Sequence, residues 1–191
     1  MKLTSKLLTA AALLTASSAA MAHPGHADGG FTSGLMHPML GLDHLLAMAA
    51  IGFWSVRQSK TMKNATPLFV IGGMILGAML AWSGLTMTGV ETGITFSVLV
   101  AGILIATLAK LPTAVGGTLV GAFMLFHGFA HGAEMPEGAT LAAFLAGFSI
   151  ATLAITLVGR GLGSLMLKAD SRFSRGVGGV LAVAGAYLAA A

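Results

Sequence analysis

The sequence predicts an all-α membrane protein: a six-transmembrane-helix bundle behind a cleavable signal peptide. Three observations carry this fold class. Composition lies far from that of a water-soluble domain, the apolar residues gather into segments of bilayer-spanning length, and the amino-terminus is basic, then apolar, then small. Of 191 residues, 56% are hydrophobic and only 8% are charged, against about a quarter charged in an ordinary globular domain. Mean hydropathy is +0.91. The absence of Cys excludes disulfide frameworks and thiolate metal sites, and leaves His, Asp, Glu and Met as the side chains able to hold a metal.

The elements follow in order. Lys2 and Lys6 form a basic region, Leu7 to Ala16 an apolar one, and Ala20-Met21-Ala22 a small-x-small cleavage signal, so residues 1–22 read as a signal peptide. An uncleaved extra helix is the rival reading, but the apolar stretch is short for a span. Residues 23–34 form a polar, His-containing leader. Its His23-Pro24-Gly25-His26 start offers a free amine and two imidazoles after cleavage, although a disordered leader is the simpler reading. The remainder, 35–191, forms the membrane domain. Its six apolar segments are Leu35 to Val56, Pro67 to Leu85, Thr92 to Ala109, Thr113 to His131, Ala139 to Val158 and Gly176 to Ala191. Each has about the length that a hydrocarbon core of ~30 Å requires at 1.5 Å per residue. They are apolar all round, which argues against amphipathic helices of a soluble protein.

Charge orients the bundle. With the mature amino-terminus outside, Arg57, Lys60 and Lys63 fall in one inner connection, Lys110 in the next, and Arg160, Lys168, Arg172 and Arg175 in the third. Asp28, Glu91, Glu134 and Glu137 fall outside, as does the carboxy-terminus. This distribution satisfies the positive-inside rule. The net charge of +4 is therefore a topology signal rather than a nucleic-acid footprint. Trp54, Trp82 and Tyr187 sit near segment ends, where interfacial aromatic belts form.

The first segment carries three ionisable residues, His37, Asp43 and His44, in the run H-P-M-L-G-L-D-H. Such groups are costly in lipid, so they read as a polar site facing the bundle interior or a water-filled path. Imidazole with carboxylate suits a borderline divalent cation such as Ni²⁺, Co²⁺ or Zn²⁺. In an unbroken helix His37 and His44 share a face, while Asp43 points about 100° away from His44. Either Pro38 and Gly41 open the helix and bring Asp43 round, or Asp43 orients a different imidazole.

A second constellation closes the fourth segment, F-H-G-F-A-H-G-A-E-M-P from Phe126 to Pro136. A continued helix presents His127, His131 and Glu134 on one face, a spacing able to chelate one metal. Counting rise from Leu35 in a straight helix puts His44 about 14 Å deep, near midplane, with His127 nearer the outer surface. This predicts two ligand clusters at different depths.

These two motifs carry a resemblance. The chain resembles the HupE/UreJ family of nickel and cobalt permeases, through His37, Pro38, Gly41, Asp43 and His44 in the first run and Phe126, His127, Gly128, Ala130, Gly132, Glu134 and Pro136 in the second. The resemblance spans essentially the whole mature chain. It implies secondary uptake of Ni²⁺, or Co²⁺, across the bacterial cytoplasmic membrane for hydrogenase or urease maturation. The expected metal-handling residues are His37, Asp43 and His44 as the selective site, with His127, His131 and Glu134 as an entrance or outer coordination shell. Glu91, opening the third span, is a candidate mouth carboxylate. The expected partners are the divalent cation and the lipid bilayer, with no tightly bound cofactor, no nucleic acid and no nucleotide.

Plainer readings stand beside these. A single intramembrane His is often a hydrogen-bonded packing residue, Glu134 and Glu91 can be solvated loop charges, and Met36, Met39, Met48 and Met74 can be packing rather than thioether ligands. Gly72, Gly73, Gly77 and Gly84, like Gly176, Gly178 and Gly179, read as close helix contacts. Ser149, Thr152 and Thr156 share a face that either lines a path or bonds between helices. There is no convincing internal repeat and no G-x-x-x-x-G-K-[ST] run for nucleotide. Energy then comes from the membrane: for a divalent cation, an interior-negative potential of about 100 mV contributes roughly 4.6 kcal/mol, on the order of a thousandfold accumulation. Two other classes compete. A His-box membrane metalloenzyme is short of ligands, with six His in all and two of these in the leader. A non-transporting metal sensor or delivery subunit needs an output surface that such short loops hardly provide.

Overall fold

The computed structural model describes residues 30–190, and every regular element in it is an α-helix. The expected signal peptide and cleavage site, and His23, His26 and Asp28, lie outside the described residues. The helices are α1 (Gly30–Leu40), α2 (Leu42–Ser55), α3 (Lys60–Trp82), α4 (Val90–Thr107), α5 (Thr113–Ala133), α6 (Leu141–Met166) and α7 (Ser171–Ala190). Five of them, α3 to α7, are each long and apolar enough to cross a membrane, and α1 with α2 forms a sixth candidate bent by 81°.

That bend is written in the sequence. Pro38 has no N–H to give to the carbonyl of Gly34 and its ring crowds the preceding turn. Gly41 is extended, at φ −89° and ψ 115°, and its carbonyl accepts from Leu45 N as α2 begins. The first expected span is therefore two helices joined at one glycine. It also starts at Gly30 rather than Leu35, so residues 30–34 of the expected leader are helical.

Glycines set the close pairings. A Cβ on Gly34 or Gly147 would enter the backbone of the facing helix in the α1–α6 pair, and Gly52 and Gly159 do the same for α2–α6. Gly73 and Gly77 meet the α5 backbone, Gly128 and Gly132 meet that of α3, and Gly102, Gly178 and Gly185 join α4 to α7. Close backbone approach replaces the hydrophobic driving force that lipid does not supply. Gly72, Gly176 and Gly179, expected at contacts, have nothing within 4 Å, and Gly84 is a turn residue at φ +83°. Facing residues advance together in α1–α6, α2–α6 and α3–α5 and oppositely in α4–α7, as alternating spans require.

The α2–α3, α4–α5 and α6–α7 connections gather at one end. Gln58 Nε2 donates to Ala109 O (2.9 Å) while its Oε1 accepts from Leu111 N (3.0 Å). Arg57 donates to Ser174 Oγ and Arg175 to Ala106 O. Pro67 leaves the Lys63 carbonyl without its helical donor, and the Arg160 guanidinium bonds to that carbonyl. The basic residues assigned to inner connections thus share this end. Trp54 does not belong to an interfacial belt: it is buried and donates Nε1 to Ala109 O at 3.0 Å, whereas Trp82 and Tyr187 are exposed. Thr156 bonds back to Thr152 O within α6 rather than across helices.

Candidate metal centre

At the opposite end, the α1–α2 break turns the first motif toward α5. His37, near the end of α1, and His44, in the first turn of α2, approach His127 and His131 of α5. The rings form a chain: His37 to His131 with centroids 4.7 Å apart, His131 to His44 at 4.4 Å, and His44 to His127 at 4.5 Å. The two clusters expected at different depths are one cluster, because the break removes the straight-helix rise that separated them. Within it His127 and His131 are buried, while His37 is about a quarter exposed.

Hydrogen bonds hold three of the four rings, and packing alone holds the fourth. Asp43 Oδ1 accepts from the His44 backbone N–H (2.7 Å) and pairs with His44 Nδ1 (2.9 Å). The carboxylate lies at the positive amino-terminal end of α2, where negative charge is favoured. Of the two arrangements left open for Asp43, the broken helix brings it to the imidazole of its own neighbour. A carboxylate accepts only, so Nδ1 of His44 carries the proton and Nε2 is the free nitrogen. Across 97 residues of sequence, His37 Nε2 meets Glu134 Oε2 at 2.9 Å at the exposed rim. His131 sits among His37, His44 and Phe148 with both ring nitrogens unpartnered.

The α5 motif positions its own histidines. Gly128 and Gly132 seat α5 against the α3 backbone, and the Phe126 ring fills the space beside Gly93 of α4. Ser97 of α4 bonds to His127 Nε2 at 2.9 Å. Sequence reading missed this partner: a lone serine in an apolar span belongs to no motif, and only the α4–α5 packing brings it to the site.

A cavity of about 250 Å³ opens here, lined by His37, Asp43, His44, Glu91, His131 and Glu134 among others. Every sequence-predicted ligand except His127 borders it, and His127 lies behind His44. Such a volume admits several waters and hence a partly hydrated ion. The carboxy-terminus of α5 ends at the same place, and its unpaired carbonyls favour a cation. One turn toward the basic end, Met48, Phe123 and Met124 are buried and close the bundle. Met36 and Met39 are exposed and Met74 is packed in the core.

Among the described residues, no group of three or more His, Cys, Asp or Glu is already arranged to hold a metal ion. Two of the three ring pairs meet edge to face instead, and His44 with His131 is tilted. What fits a cation is the donor chemistry: buried His44 Nε2, His127 Nδ1 and both nitrogens of His131 have no hydrogen-bond partner. Buried polar nitrogens without partners are rare enough to require a ligand, water or ion to complete them.

The chain is 43% identical over 190 residues to Protein HupE of Rhizobium leguminosarum bv. viciae, covering 96% of this chain and 97% of that protein. No solved structure matches. The family model described as HupE / UreJ protein matches residues 11–188. With that match spanning nearly the whole length and both histidine motifs converging on one cavity, the chain belongs to the HupE/UreJ family of multi-pass membrane proteins.

Proposed function

We propose that this protein is a permease that carries nickel, or cobalt, as a divalent ion across the bacterial cytoplasmic membrane, supplying hydrogenase or urease maturation. One observation carries the reading: four imidazoles with four unpartnered buried nitrogens stand beside carboxylates at one end of an otherwise apolar bundle. The cation is cargo, and no bond-making step is assigned to the chain. In this reading the histidine end faces outward and the basic end inward, with the mature amino-terminus and the carboxy-terminus outside, in keeping with the positive-inside rule.

Transport then proceeds by electrostatics and ligand exchange. Glu91 and Glu134 raise the cation concentration at the mouth. Asp43 holds His44 so that Nε2 faces the arriving ion and gains basicity, as carboxylate partners do for ligating histidines. Imidazoles replace waters as the ion enters, compensating the dehydration that would otherwise exclude it from lipid. Inward release requires the apolar seal at Met48, Phe123 and Met124 to part, and the α1–α2 break supplies a joint about which helices can rearrange. Metal accumulation in cells expressing the chain, measured across a panel of divalent ions, tests the proposal. Accumulation of nickel or cobalt supports it. Metal binding without accumulation supports a delivery subunit instead.

A further inference from the structure

Ser97 is buried on α4 and its hydroxyl makes two hydrogen bonds, one with the Ile94 carbonyl oxygen at 2.6 Å and one with His127 Nε2 at 2.9 Å. A hydroxyl has one proton, and a carbonyl oxygen can only accept. The proton therefore goes to Ile94, and toward His127 the serine presents a lone pair. His127 must answer with an N–H, so its proton resides on Nε2. In a neutral imidazole the other nitrogen is then unprotonated. That nitrogen, His127 Nδ1, is buried without a partner.

We propose that Ser97 is a positioning residue that holds His127 in the Nε2–H tautomer and so presents Nδ1 as an electron-pair donor to the transported divalent cation. The inference rests on the metal reading above and adds a donor atom to it. It also gives the two neighbouring rings opposite polarity. Asp43 accepts a hydrogen bond from Nδ1–H of His44 and leaves Nε2 unprotonated, whereas Ser97 accepts one from Nε2–H of His127 and leaves Nδ1 unprotonated. Rings whose centroids lie 4.5 Å apart thus offer one lone pair each instead of competing for a shared proton.

Nitrogen NMR of the full chain, labelled with ¹⁵N at histidine and kept metal-free in micelles, reads the tautomer directly, with His127 assigned by the signal lost in His127→Gln. The expected wild-type result is a protonated Nε2 and an unprotonated Nδ1. Ser97→Ala should abolish the single tautomer and weaken binding of nickel alone by about 10–100-fold, the usual effect of losing the group that orients a metal-binding histidine. Ser97→Thr, which keeps the hydroxyl, should restore both. A protonated Nδ1 in the wild type overturns the proposal without any variant having to fold. Unchanged tautomer and nickel affinity in folded Ser97→Ala overturns it as well. Wild-type protein that shows the expected tautomer but binds neither nickel nor cobalt overturns the metal reading instead, which keeps the two failures apart.

Discussion

Replacing Asp43 by asparagine should weaken nickel binding about 5- to 12-fold while leaving the helix break in place. The carboxylate makes two bonds to its neighbour, 2.7 Å to the His44 N–H and 2.9 Å to Nδ1. A hydrogen bond to a charged group contributes about 1.5–3 kcal/mol, against 0.5–1.5 for a neutral pair. Asparagine keeps an acceptor oxygen of the same reach but no charge, so the Nδ1 bond loses about 1–1.5 kcal/mol, the stated factor in affinity. Asp43→Ala removes the acceptor too, frees the ring to rotate and should cost about 10–100-fold. Calorimetric titration of purified protein with nickel measures both, and the unfolding temperature separates lost binding from a lost helix start. Wild-type affinity in both folded variants would refute the assignment of Asp43 as the group that orients His44.

Because His131 and His44 touch, their substitutions should not be independent: in a double-mutant cycle for nickel affinity, the pair His44→Ala and His131→Ala should show a coupling of about 0.5–3 kcal/mol, and strict additivity would return them to separate sites. Cysteines introduced singly at exposed Thr61 and Ser171 should resist impermeant thiol reagents in intact cells, and one at Ala133 should label; labelling at Thr61 from outside inverts the orientation. Gly128→Ala should lower stability by about 1–3 kcal/mol, because its Cβ has no room beside the Met74 backbone. Gly72→Ala, with open space around it, should be nearly neutral or slightly stabilising through helix propensity, and thermal unfolding in detergent compares the two.

The spans were legible because hydropathy records the solvent, and lipid leaves a chain little choice but a helix. The break was legible in Pro38 and Gly41, whose backbone chemistry is local. What hydropathy could not supply was the consequence of that break. A straight-helix rise put His44 a cluster's depth below His131, whereas an 81° bend brings their rings into contact. The His37–Glu134 pair depends on residues 97 apart in sequence, and no periodicity in either motif predicts such a meeting. Which side of a helix faces a neighbour was equally hidden. Trp54 and Trp82 both stand near helix ends, yet one is buried against the Ala109 carbonyl and the other faces outward. Gly72 and Gly73 differ only by about 100° around α3, and only Gly73 meets α5.

Transport through the histidine cluster is tested most directly by purified protein in sealed vesicles, given external nickel and an imposed interior-negative potential of about 100 mV. If the cluster passes a divalent cation down its electrical gradient, luminal nickel should rise well above the external concentration, toward a limit on the order of a thousandfold. The rise should vanish when the potential is collapsed, and His44→Ala should not support it. Nickel that binds the vesicles without entering the lumen, or that accumulates equally through His44→Ala, would contradict carriage of the ion by this site.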